Sequence, residues 1–165
     1  MKSSIHHLNR IILILDLDGV LTDGKFYYSD KGKILKAFGP DDHDAIKLLL
    51  KFIEVEVVTA DKIGFEISRQ RVEHDMGLKL HLVNSEHRGD WIQARFPDYF
   101  TIYMGDGIFD KFVFEKVKYS IAPANAADLT KEIADHVTHR SGGDRAVAEA
   151  CLHILAKFFD VDYSS

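Results

Sequence analysis

Ile11-Ile12-Leu13-Ile14-Leu15-Asp16-Leu17-Asp18-Gly19-Val20-Leu21-Thr22-Asp23-Gly24 joins five apolar residues to a loop rich in acid and glycine. A short apolar run with no polar break, ended by turn residues, predicts a strand buried on both faces. Open parallel sheets bind ligands beyond the carboxyl ends of their strands. This strand delivers Asp16 and Asp18 to that place. Clustered carboxylates in a low-dielectric setting need a cation, protons or many donors. The ordinary alternative is a pair of solvated loop acids, and the apolar strand that aims both at one point argues against it.

Bulk properties bound the rest. The 165 residues suffice for one domain with a proper core, so residues 1–165 are expected to form a single domain. Hydrophobic residues make up 46% and charged residues 28%, an ordinary globular balance. The net charge of −5 and the lack of a basic stripe argue against nucleic acid as a partner. No apolar run reaches the length of a membrane span, and no signal-peptide core precedes a cleavage site, so a cytoplasmic protein is expected. Cys151 is the single cysteine and reads as a packing thiol within a helix. The nine histidines show no zinc spacing. His6-His7 reads as a solvated pair, and His136 and His139 as flanking a short strand.

Strands and helices alternate along the chain. Lys25 to Ser29 and Lys33 to Phe38, joined through Asp30-Lys31-Gly32, predict an aromatic hairpin. A two-stranded ribbon is marginal in water, so it should pack on its own domain or on a second subunit. A helix is expected from Asp44 to Phe52, then a strand Val55–Thr59. A charged helix follows from Lys62 to Met76, with Ile63, Ile67 and Val72 inward and Gly77 as its stop. The strand Leu78–Val83, the helix Glu86–Phe96 and the strand Phe100–Met104 come next, then Gly105-Asp106-Gly107. A helix over 110–117, a strand Tyr119–Ala122, a helix capped by Asn125 and a short strand at Val137-Thr138 lead to a flexible break at Gly142-Gly143. Asp144 is expected to cap a last helix with an apolar stripe of Ala146, Val147, Ala150, Cys151, Ile154, Leu155 and Phe158. The alternation predicts an α/β fold, a mostly parallel sheet with helices on both faces, plus the hairpin after strand 1.

Three strand ends carry chemistry: Asp16 and Asp18, then Thr59, then Asp106. Converging carboxylates form a hard-oxygen site suited to Mg²⁺ beside a substrate phosphate.

The stretch from Asp16 to Gly24, with Thr59 and Gly105-Asp106-Gly107-Ile108-Phe109-Asp110, resembles the motifs of the haloacid-dehalogenase-like phosphatases. The nearest versions are those of 3-deoxy-D-manno-octulosonate 8-phosphate phosphatases and the C-terminal domains of some CMP-sialic acid synthetases. The resemblance spans nearly the whole chain, including the aromatic hairpin, Tyr119–Ala122 and the Gly142-Gly143 segment. It implies a three-layer Rossmann-like fold and an Mg²⁺-dependent phosphoric monoester hydrolase acting on a small phosphorylated sugar acid of cell-surface polysaccharide synthesis, such as an octulosonate or nonulosonate phosphate. Asp16 would be the nucleophile and a metal ligand. Asp18 would be the general acid and base, with its backbone carbonyl on the metal. Thr59 would hold the phosphoryl group, with Gly19 and Ala60 beside it. Asp106 would complete the protein ligands, supported by Asp110. Arg88 is the nearest match to a lysine that faces the phosphate, and the alternative for it is a helix-surface arginine.

The chain departs from that pattern at several places. Thr59-Ala60-Asp61 stands for Thr-Gly-Arg, Gly107 for a second acid, and Asp41-Asp42-His43 for Arg-Asp-Gly. Two basic groups are thereby exchanged for Asp41 and Asp61, which should weaken binding of a strongly anionic sugar acid. The Ala60-Asp61, Arg88 and Gly107 positions motivate a second reading, a catalytically weak module for oligomerisation or regulation. A receiver-like phospho-acceptor fits poorly, because the third strand ends in Val83-Asn84-Ser85. The segment between the first two motifs leaves no room for a cap domain. Relatives of this kind form homotetramers through the hairpin, here residues 25–38, and Phe26-Tyr27-Tyr28 would supply the apolar contact.

Overall fold

The computed structural model describes residues 10–163, and the expected His6-His7 pair lies outside them. Six parallel strands form the central sheet: β1 (Ile11–Asp16), β4 (Glu54–Thr59), β5 (Lys79–Leu82), β6 (Phe100–Met104), β7 (Tyr119–Ala122) and β8 (His136–Val137). Their spatial order is β5-β4-β1-β6-β7-β8. β1 therefore sits in the middle, paired in parallel with β4 on one side and β6 on the other. That position explains its unbroken apolar run. Ile12 and Ile14 face one hydrophobic layer, and Leu13 and Leu15 face the other. All four are wholly buried.

The layer around Leu13 and Leu15 is closed by α1 (Asp42–Leu49) and α6 (Ala146–Phe159). The other contains Ile92 of α3 (Arg88–Arg95) and Val113 of α4 (Asp110–Phe114). α2 (Phe65–Arg69) runs into a wider helical turn over Gln70–Asp75, and α5 is only Asp128–Lys131. β2 (Tyr27–Ser29) and β3 (Gly32–Leu35) form the antiparallel hairpin as a separate two-stranded sheet.

Several local expectations change. The helix expected from Lys62 begins at Phe65, and Ile63 is 76% exposed instead of inward. Val72 is buried as expected, and the buried position within Phe65–Arg69 is Ser68, which donates to the Gly64 carbonyl at 3.1 Å. Asn125 does not cap a helix: its side chain ties two distant loops, and α5 starts three residues later. Asp144 does not cap α6 either. Arg145, in the left-handed region at φ 69°, intervenes before the first turn, and Asp144 pairs with Arg145 and Arg140 instead. His136 lies within β8 and stacks on His153, with ring centroids 3.7 Å apart. The stripe expected on α6 is buried from Ala146 to Leu155, and Cys151 is a free, buried thiol.

Candidate active site

Asp16 ends β1, and one of its oxygens accepts the Leu17 N–H at 2.8 Å. The chain then turns sharply, and Thr22 N–H closes the turn on the Leu17 carbonyl at 3.1 Å. Thr22 Oγ1 accepts from the N–H groups of Gly19 and Gly24 at 3.1 and 3.2 Å. Gly19 sits at φ 87°, and a Cβ there would lie 2.0 Å from an Asp106 oxygen. The turn thus needs glycine for its backbone angle and for the close approach of the Asp106 carboxylate.

Asp16, Asp106 and Asp110 offer oxygens that all lie within 4.8 Å of one another. Asp106 follows β6 by two residues, and Asp110 opens α4. Burial pushes Asp16 well above the ordinary carboxylate range, Arg88 pulls it back, and Asp110 adds repulsion. Burial pushes Asp106 up to about 8, with repulsion from Asp16, Asp110 and Asp18 adding to it. Acids that resist ionising together describe a place where a divalent cation fits, and three hard oxygens match Mg²⁺.

Arg88 opens α3 and is only 2% exposed. Its Nη1 lies 3.0 Å from Asp16, 3.4 Å from Asp110, and donates to the Tyr103 hydroxyl at 2.7 Å. Tyr103 in turn donates to Asp110 at 2.6 Å, and the Gly107 N–H holds the other Asp110 oxygen at 2.8 Å. Burial opposes the charge on Arg88, but Asp16, Tyr103 and Asp110 outweigh it and hold the guanidinium ionised. Arg88 is therefore built into the acidic cluster, and a helix-surface position is excluded. Its Nε is buried without a hydrogen-bond partner among the described residues.

Thr59 ends β4, fully buried, and its hydroxyl donates to Asp18 at 3.3 Å while accepting the Asp61 N–H at 3.1 Å. Ala60 lies next to it on the same edge. The structure thus brings Asp16, Asp18, Gly19, Thr59, Ala60, Arg88, Asp106 and Asp110 to the carboxyl ends of β1, β4 and β6.

Lys33, Lys36, Ser68, Tyr103 and Asn125 were missed as site residues. Lys36 Nζ lies 2.8 Å from Asp18 Oδ1 and 2.8 Å from Asp61. Lys33 Nζ also pairs with Asp61. These two lysines overwhelm the effect of burial and hold Asp61 down at about 2. The expected loss of basic charge is thus offset locally, by two lysines at Asp61 and by Arg145 at 2.6 Å from Asp41. Lysine on a hairpin reads as solvated edge protection, so no local signal marked Lys36. Tyr103 had one, since a tyrosine inside a buried strand must find a partner for its hydroxyl.

A model of the haloacid dehalogenase-like hydrolases matches residues 94–150. The 3-deoxy-D-manno-octulosonate 8-phosphate phosphatase of Salmonella typhi is 37% identical over 155 residues, covering 88% of this chain and 80% of that protein. The cobalt-bound structure of the Haemophilus influenzae phosphatase of that name superposes with a TM-score of 0.77 at 32% identity, covering 90% of this chain and 89% of that one. The Yersinia pestis phosphatase structure gives 0.74 at 30% identity, with 91% and 83% covered.

Proposed function

The chain belongs to the haloacid dehalogenase-like hydrolases, in the family of the 3-deoxy-D-manno-octulosonate 8-phosphate phosphatases, and from this we propose that it releases phosphate from a phosphorylated octulosonate or a similar sugar acid. The observation that carries this reading is the convergence of Asp16, Asp106 and Asp110 within 4.8 Å beside Arg88 and the Thr59–Asp18 pair.

In the proposed reaction an Asp16 oxygen attacks phosphorus as the bond to the sugar oxygen breaks. Asp18 gives its proton to that oxygen, and the sugar leaves as an alcohol. Asp18 then takes a proton from water, whose oxygen attacks the aspartyl-phosphate to release phosphate and restore Asp16. A covalent intermediate divides one hard step into two. Thr59, the backbone at Gly19 and Ala60, and Arg88 would hold the phosphoryl oxygens. Asp16, Asp106 and the Asp18 carbonyl would hold Mg²⁺, with Asp110 fixed against them. When bound, Mg²⁺ offsets the repulsion between the attacking carboxylate and the phosphate. Loose phosphoryl transfer leaves the protein mainly positioning and charge neutralisation to perform.

The same proposal takes the chain as one domain without a separate cap, since only the hairpin and α1 lie between β1 and β4. It further takes the working unit as a homotetramer assembled through residues 25–38, because Tyr27, Tyr28, Ile34 and Leu35 are exposed on one chain. No helix among the described residues is long and apolar enough to cross a membrane. A cytoplasmic setting accords with the single free cysteine.

The test is phosphate release from a panel of sugar and sugar-acid phosphates, with Mg²⁺ or with a chelator. Release is expected only with the metal, with Asp16→Asn lowering it at least about a thousandfold. Undiminished release by Asp16→Asn, or none from any substrate with Mg²⁺, overturns the proposal. Light scattering should give the mass of four chains, and the mass of one removes the tetramer.

A further inference from the structure

We propose that Lys36, anchored by Asp61 and Ser68, is the positioning residue that fixes the Asp18 carboxylate for proton transfer to the leaving oxygen. The inference rests on the phosphatase reading above and assigns the hairpin a part in its chemistry.

An ammonium carries three N–H donors and no acceptor. Three partners surround the Lys36 ammonium. It donates to Asp18 Oδ2 at 3.1 Å and to Ser68 Oγ at 2.8 Å, and it lies 2.8 Å from Asp61 Oδ2. The other Asp18 oxygen is also 2.8 Å away. The Lys36 side chain has no solvent exposure. A buried ammonium is costly unless fully paired, so this arrangement is held by geometry on every side.

The anchors are themselves fixed. Asp61 accepts the Gly64 N–H at 3.0 Å and the Lys33 ammonium, and its own N–H is bound to Thr59. The Ser68 hydroxyl donates a hydrogen bond to the Gly64 carbonyl. A Cβ on Gly64 would fall 2.2 Å from Asp61 and 2.9 Å from both lysine stems, so the chain closes tightly around the group. Asp18, by contrast, has one other side-chain hydrogen bond among the described residues, the 3.3 Å contact from Thr59. Without Lys36 its carboxylate is held only by that long bond, and its rotation is poorly defined. Proton transfer requires the donor within hydrogen-bond reach of the oxygen it protonates, so loss of that definition falls on the step that needs the proton.

The leaving group decides how much that step matters. A sugar alkoxide must be protonated as the bond to phosphorus breaks. A 4-nitrophenolate leaves without a proton. Lys36→Met is therefore expected to lower kcat/KM for a sugar or alkyl phosphate by about ten- to a hundredfold, less than the roughly hundred- to ten-thousandfold that a positioned acid supplies, because Asp18 itself remains in place. The fall should lie in kcat, with KM changed less than about threefold, and kcat/KM for 4-nitrophenyl phosphate should fall by less than about threefold. Asp61→Asn keeps the shape of the anchor and removes its charge. It should show the same selectivity at roughly a tenth of the size, and it decides the matter if Lys36→Met does not fold. Equal losses on both kinds of substrate, or none on either, overturn the inference. A wild-type protein inactive on every phosphate ester overturns the phosphatase reading instead.

Discussion

Gly142 leaves no space for a side chain. A Cβ there would lie 1.9 Å from the Gly19 carbonyl oxygen and 2.8 Å from that of Thr22. The Gly142 N–H donates to Asn125 Oδ1 at 2.6 Å, and Asn125 Nδ2 donates to the Gly19 carbonyl at 3.0 Å. One amide side chain thus joins the acidic turn to the segment before α6. Gly142→Ala must push the turn that carries Asp18 and Gly19, so thermal stability should fall by about 1–3 kcal/mol and kcat should fall with it. A variant with unchanged melting and turnover would show that the contact does not matter. Neither residue could be read this way from its neighbours. Gly142-Gly143 looks like a flexible break and Asn125 like a helix cap, because their partner at Gly19 lies more than a hundred residues away. Arg88 is a similar case. Its charge and its place at a helix start were legible, while its burial against Asp16 and Tyr103 depends on which strands lie beside β1. Arg88→Met leaves the buried Asp110 and the largely covered Asp16 without their cation. A loss of about 3–5 kcal/mol in metal-free protein is expected by denaturant titration.

Among the elements, strands were legible and helix ends were not. β6 and β7 have the bounds expected of them, because an apolar run between polar turns is a local signal. The helix expected at Lys62 starts three residues late because Asp61 turns back to accept the Gly64 N–H. That turn serves the lysine cluster, which no periodicity reports. The hairpin shows the same division. Its aromatic sequence marked it out, yet its inner face proved to be chemical. Lys33 lies 3.6 Å over the Phe26 ring and pairs with Asp61, while Tyr28 and Leu35 remain 61% and 58% exposed. A ribbon fixed at one face by charge and bare on the other is suited to burial against a second subunit. For the tetramer proposed above, replacing both Tyr28 and Leu35 by Asp is expected to shift the light-scattering mass from four chains towards one. An unchanged mass would place the interface elsewhere.

Across the whole molecule, ionisable groups pull stability in opposite directions with pH. Burial, with His136 and Lys157 adding to it, drives His153 down to about 4. A depressed histidine stabilises the fold above its unfolded value near 6.5, and that contribution is lost as pH falls towards 4. The acids behave in the reverse sense. Burial raises Asp42 to about 6 and Asp106 to about 8, and it raises Asp16 as well. Each favours the fold most below the unfolded value near 4 and progressively less as pH climbs to its folded value. Between pH 6.5 and 8 the histidine effect is already complete, so metal-free protein should lose stability as pH rises. Each carboxyl still protonated in the fold but ionised when unfolded contributes about 1.4 kcal/mol per pH unit. With Asp16 and Asp106 as the proposed ligands, saturating Mg²⁺ is expected to replace those protons and remove their share of the slope. Asp42 and His153 lie outside the metal cluster, so they affect both conditions alike and cancel in the difference. The gap in melting temperature between Mg²⁺ and chelator should therefore widen from pH 6 to pH 8.5. A gap that stays constant over that range would mean that Asp16 and Asp106 are not the groups that exchange protons for metal.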